Sequence, residues 1–78
     1  MLEVTFTVEP FVAGQPGPHV LAAVDAVRAA GAEVEFGPFG SSFTVDPADI
    51  GRVVGGLLDA AYANGATHVS IQIDGGDR

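Results

Sequence analysis

Cysteine, lysine and tryptophan are all missing from this 78-residue chain. The lack of cysteine removes disulfide staples, thiolate metal ligands and a cysteine nucleophile together. With no lysine, positive charge rests on Arg28, Arg52 and Arg78, against ten acidic residues, and the formal net charge is −7. A surface of that sign repels phosphate backbones and anionic lipid, which argues against nucleic-acid and membrane partners and leaves cationic or neutral small ligands open. Long apolar runs are missing as well, and no segment approaches the roughly 18 to 20 residues a membrane span requires. The opening Met1-Leu2-Glu3-Val4-Thr5 has neither the basic stretch nor the apolar core of a secretory signal, so a cytoplasmic location is expected.

What is present is apolar. Hydrophobic residues make up 47% of the chain and charged ones only 17%. A body of this size buries only about 60% of the surface its unfolded chain exposes, so a single domain spanning residues 1–78 has a marginal core. The apolar excess then implies that a further subunit covers part of the surface.

Periodicity divides the chain into six elements. Leu2, Val4, Phe6 and Val8 alternate with Glu3, Thr5, Thr7 and Glu9, a half-buried strand that Pro10 ends. The stretch Phe11 to Pro18 holds two glycines and two prolines and is a loop. Pro18 opens a helix on which Val20, Ala23, Val24 and Val27 share one side, and Gly31 closes it. Val34 and Phe36, against Glu33 and Glu35, form a second strand. Gly37-Pro38-Phe39-Gly40 turns into a third strand over Ser41–Val45, with Phe43 and Val45 inward and Ser42 and Thr44 outward. Asp46 as N-cap and Pro47 at the first helical position start a second helix with Ile50, Val53, Val54, Leu57 and Ala61 on its apolar face, closed by Asn64-Gly65. Val69, Ile71 and Ile73 alternate with polar residues in a last strand, and the tail from Gly75 to Arg78 is expected to fray. Gly51, Gly55 and Gly56 inside the second helix admit two readings: close approach of another backbone, or tolerated drift in an Ala/Gly/Val-rich sequence.

The order β-α-β-β-α-β, with right-handed crossovers, interleaves two halves into one antiparallel sheet of strand order 4-1-3-2 with both helices on one face. This is the α+β ferredoxin-like sandwich. Its helix-free face carries Glu3, Thr5, Thr7, Glu9, Glu33, Glu35, Ser42, Thr44, His68, Ser70 and Gln72. Such a face suits water, but its many short hydroxyl and amide side chains also suit a hydrogen-bonded layer between two stacked sheets, the reading favoured here.

The same topology gathers Glu9, Ser41, Ser42, His68, the loop with Phe11 and the turn with Phe39 at one end of the sheet. A few polar groups among aromatic walls describe a small-molecule pocket. His19 and His68 fit ordinary surface positions better than catalytic ones. Other ligands of this fold fail on residues: the open face of the two central strands carries Thr and Ser where RNA would need aromatics, and there is no Cys-x-x-Cys for a metal and no arginine in the first loop for phosphate. No His-x-x-x-His spacing occurs. No metal, cofactor or catalytic role is expected; an enzyme would rest only on His19, His68 and Glu9 lying together.

Val8-Glu9-Pro10, the glycine-containing first loop, Gly37-Pro38-Phe39-Gly40-Ser41 and the run Val69 to Asp74 followed by Arg78 resemble the thiamine-binding, YkoF-like proteins over nearly the whole chain. The resemblance implies a ferredoxin-like fold, dimers or tetramers formed through the sheets, and non-catalytic binding of thiamine or its hydroxymethylpyrimidine part as a carrier or sensor. Phe39 stands where the family often has Met, Ser41 where Thr is usual, and Thr44 where a glutamate is common; the loop Gly14 to His19 departs from the family's Ser/Thr-rich version. On that basis Glu9 is the expected partner of the aminopyrimidine or the cationic ring, Ser41, Ser42 and Thr44 supply polar contacts, and Phe11 and Phe39 stack. The alternative is a homo-oligomeric assembly or regulatory module that binds a protein and has no physiological small ligand.

Overall fold

The computed structural model describes residues 1–10, 17–37 and 40–75. Its elements are β1 (Leu2–Glu9), α1 (Pro18–Ala29), β2 (Glu35–Phe36), β3 (Ser41–Val45), α2 (Ile50–Ala63) and β4 (His68–Asp74). The strands form one antiparallel sheet in the order β2-β3-β1-β4, which is the ferredoxin-like arrangement expected from the sequence. Phe11 and Phe39, and Arg78 with the end of the tail, lie outside the described residues.

The alternating pattern of β1 translates directly into burial. Val4, Phe6 and Val8 are buried beneath the helices with Phe43 and Val45 of β3, and the Phe6 and Phe43 rings meet edge to face with centroids 6.0 Å apart. Val20, Ala23, Val24 and Val27 of α1 and Val53, Leu57 and Ala61 of α2 close the core from the other side. These are the faces that the 3.6-residue spacing selects.

Both helices stop in the same way. At the end of α1 the N–H of Ala32 donates to Val27 O and that of Gly31 to Arg28 O; at the end of α2, Ala66 donates to Ala61 O and Gly65 to Tyr62 O. Gly31 and Gly65 sit at φ +100 and +104, the left-handed conformation this pair of bonds requires and that a side chain resists. The start of α2 corrects the sequence reading. The Asp46 carboxylate accepts from Ala48 N and its carbonyl from Asp49 N, so residues 46–49 make a separate turn and the helix begins at Ile50. A side chain that bonds two residues on offers the backbone a turn in place of a helix.

Two expectations about inward strand positions also change. Phe36 is 46% exposed and Ile73 47% exposed, although the register puts both on the helix side. They lie on the two outermost strands, where two short helices no longer cover the sheet. The close-approach reading of the helical glycines fails within the chain, because a Cβ at Gly51, Gly55 or Gly56 would meet no atom within 4 Å.

Candidate functional site

Strand register fixes which polar side chains share a neighbourhood on the open face. Thr44 pairs with Glu3, and Glu3 with Asp74, in one cross-strand row. Glu35, Ser42, Thr5 and Gln72 form the next, followed by Thr7 with Ser70 and Glu9 with His68. His68 Nε2 lies 3.1 Å from Ser70 Oγ, so hydrogen bonding runs along the outer strand as well as across it.

These rows split the cluster expected at the Glu9 end. Ser42 stands level with Thr5, four residues before Glu9 on β1, and Thr44 stands level with Glu3, six residues before it. At ~3.3 Å per residue the separations are roughly 13 Å and 20 Å, too far for one aromatic ring to touch both sets. Ser41 is divided from Ser42 in another sense: it pairs with Phe6, faces the helices and is buried. Of the expected contact residues that are among the described ones (Glu9, Ser41, Ser42 and Thr44), Ser42 and Thr44 come together. The crevice beside Ser41, lined also by Phe36 and Gly40, has a volume of about 20 Å³, enough for one water and no ring.

His19 is not a surface residue. Its imidazole is buried at the start of α1, where Nε2 donates to Pro10 O and ties the helix to the end of β1. Gly17 makes room for the ring, since a Cβ there would lie 2.6 Å from His19 Cε1. Glu9 is exposed, and its carbonyl accepts from Thr67 N at 2.8 Å and from Thr67 Oγ1 at 3.3 Å, which anchors the start of β4.

A concavity lies at the other end of the sheet. Because β2 pairs with β3 only through Glu35 and Phe36, residues 32–34 run past Phe43 and Thr44 without joining the sheet. A groove of about 560 Å³ opens between them. Glu3, Glu33 and Glu35 bring three carboxylates to it, Ser42 and Thr44 two hydroxyls, and Ala32, Val34 and Phe43 its apolar part, with Arg28 of the last turn of α1 at its border. This composition suits an organic cation with a flat apolar body: anionic groups meet the charge, hydroxyls meet ring nitrogens, and carbon surface meets the ring. Among the described residues no group of His, Asp or Glu has the arrangement to hold a metal ion.

Sequence reading placed Glu3 and Glu35 on the open face but did not make them a site, and it extended the second strand through Glu33 and Val34, which lie off the sheet.

No family model matches the chain, and no curated protein matches it by sequence. Solved structures do. The protein SP2199 from Streptococcus pneumoniae superposes with a TM-score of 0.64 at 21% identity, over 97% of this chain and 87% of that one. A domain of unknown function, DUF77, from Bacillus cereus superposes with a TM-score of 0.58 at 22% identity, over 94% of this chain and 71% of the other. At these identities the likeness carries the fold. No helix among the described residues is long and apolar enough to cross a membrane.

Proposed function

We propose that this chain is a non-catalytic, cytoplasmic binding protein for thiamine or its hydroxymethylpyrimidine part, and that the ligand sits in the groove between residues 32–35 and β3. The groove itself carries the reading. Its volume of about 560 Å³ lies within the range of small-molecule sites, and three carboxylates against one guanidinium favour a cation such as the thiazolium ring. Ser42 and Thr44 are the hydroxyls within reach of a pyrimidine. The resemblance to thiamine-binding proteins points to the same ligand class. A binding role without chemistry agrees with the histidines, since His19 is committed to Pro10 O and His68 stands beside Ser70 on the open face.

The groove borders the face whose rows of hydroxyls, amides and carboxylates suit a second sheet. Stacking of two copies through that face would bring a partner to the rim of the groove at Glu3, Ser42 and Thr44 and shield the bound ligand from water. The protein-binding alternative draws on the exposed apolar side chains Leu21, Phe36 and Tyr62, which a partner of another kind would cover.

Calorimetric titration with thiamine and with hydroxymethylpyrimidine tests the reading. Binding of thiamine is expected, weakened by Glu33→Gln together with Glu35→Gln and unaffected by Glu9→Gln. Loss on Glu9→Gln alone would return the site to the opposite end of the sheet. The absence of heat with either ligand, from folded protein, would reject a thiamine site and favour the assembly module.

A further inference from the structure

Bonded and unbonded residue pairs alternate along an antiparallel ladder, and this alternation fixes which main-chain groups of β3 face the groove. Gly37 N donates to Gly40 O at 2.8 Å, which makes these two a bonded pair. Phe36 and Ser41 are then unbonded, and Glu35 and Ser42 are the next bonded pair. Two residues further on, the N–H and C=O of Thr44 point to the same side as those of Ser42, away from β1. Ser41, Phe43 and Val45 turn theirs toward β1 instead, with which they pair.

Were β2 longer, Glu33 would stand opposite Thr44 and exchange both hydrogen bonds with it. β2 begins only at Glu35, and among the described residues no backbone bond reaches Thr44 from that side. The gap left beside Thr44 is the groove. Its wall therefore presents one main-chain donor and one acceptor, side by side and pointing the same way. Water meets such a pair while the groove is empty, and a ligand that displaces the water must meet it in turn.

The complement is a planar group with an acceptor next to a donor, as an opposing strand residue supplies. A carboxylate has no donor, and an alkylammonium has no acceptor. A nitrogen heterocycle with a ring nitrogen beside an exocyclic amino group has both in one plane, the pattern by which adenine is read on its edge. The carboxylates of Glu3, Glu33 and Glu35 favour positive charge elsewhere on the same molecule.

We infer that the main chain of Thr44 reads the aminopyrimidine edge of the ligand. Thr44 N–H donates to the ring nitrogen next to the amino group, and the amino group donates to Thr44 C=O. The heterocycle thereby fills the place of the strand residue missing opposite Thr44. This rests on the groove being the ligand site and goes beyond it, because it fixes which edge of the ring is recognised and assigns that recognition to backbone. The hydroxyls of Ser42 and Thr44 stay available for the second ring nitrogen.

Oxythiamine is the probe: a carbonyl replaces the amino group, and the neighbouring ring nitrogen carries a hydrogen. Donor and acceptor are reversed on its edge, so it matches Thr44 only when turned over, which carries the thiazolium to the opposite side. In calorimetric titrations thiamine is expected to bind about tenfold or more tighter than oxythiamine, the scale set by an unmatched donor and acceptor. Thr44→Val keeps the N–H and should preserve that preference. Thr44→Pro removes the N–H at an open sheet edge, where proline is tolerated, and should abolish the preference with the circular dichroism unchanged. In the unmodified protein, thiamine should move the Thr44 amide proton downfield in NMR spectra, and oxythiamine should not. Equal affinities for the two ligands, or no downfield shift at Thr44 on thiamine binding, would overturn the inference and leave the groove as a thiamine site. Loss of the preference in Thr44→Val would assign recognition to the hydroxyl and overturn it too. No heat with thiamine or hydroxymethylpyrimidine, from folded protein, would remove the thiamine reading itself and this inference with it.

Discussion

His19 shows how much a single side chain does in a body this small. Its ring closes the gap between the end of β1 and the start of α1 through Pro10 O, and packs against a glycine that has no Cβ to obstruct it. His19→Ala should cost about 1–2 kcal/mol, the value of a partly buried hydrogen bond whose acceptor is left without its partner. Gly17→Ala should cost about 1–3 kcal/mol, because the new methyl and the ring cannot share the space. In a His19→Ala background Gly17→Ala should become nearly neutral, and urea midpoints of the four proteins would reveal that non-additivity. Thr44 carries a second residue-scale prediction. It pairs directly with Glu3, so Thr44→Glu sets two like charges opposite each other and should lower stability by roughly 0.2–1 kcal/mol. The same change adds a carboxylate to the groove and should tighten thiamine binding in a calorimetric titration. A tighter ligand on a less stable protein is the expected signature.

At the scale of the element, α2 carries three glycines that nothing in the chain requires. Open space surrounds the Cβ position at Gly51, Gly55 and Gly56, so each replacement by alanine should gain up to about 1 kcal/mol from helix propensity. Thermal or chemical unfolding of the triple variant checks this. Stabilisation would support the drift reading of these positions, whereas destabilisation together with a loss of mass in sedimentation would mean that another subunit's backbone approaches there. The strands show where periodicity is decisive and where it stops. Alternation assigned the residues of β1, of β4 and of β3 from Ser42 to Val45 to their correct faces, because a period of two is a property of the pleat alone; Ser41, read as a ligand contact, turns inward. Periodicity could not give the length of β2, because the alternation of Val34 and Phe36 with Glu33 and Glu35 continues through residues that lie off the sheet. Asp46 and Pro47 read as a helix start, yet the Asp46 side chain closed its own turn first, a competition between two local hydrogen bonds of similar strength.

At the scale of the whole molecule, twelve buried apolar side chains among the described residues hold two layers together, and Leu57 is among the largest that are fully enclosed. Leu57→Ala should cost about 2–5 kcal/mol, a large share of the stability available to a domain of this size. A strongly lowered or absent unfolding transition by circular dichroism is the expected result. Sheet edges and the open face remain available for further burial, and self-association at either would raise stability with protein concentration.

Fold class, topology, both helical core faces and the acidic, lysine-free surface were determined by the sequence by itself, since each follows from local periodicity, turn residues and composition. The site was decided by tertiary structure. Glu3 comes to line one groove with Glu33 and Glu35, about thirty residues further along the chain, through register and the short reach of β2. A ligand meets surfaces, and surfaces are assembled by long-range pairing that no local pattern encodes.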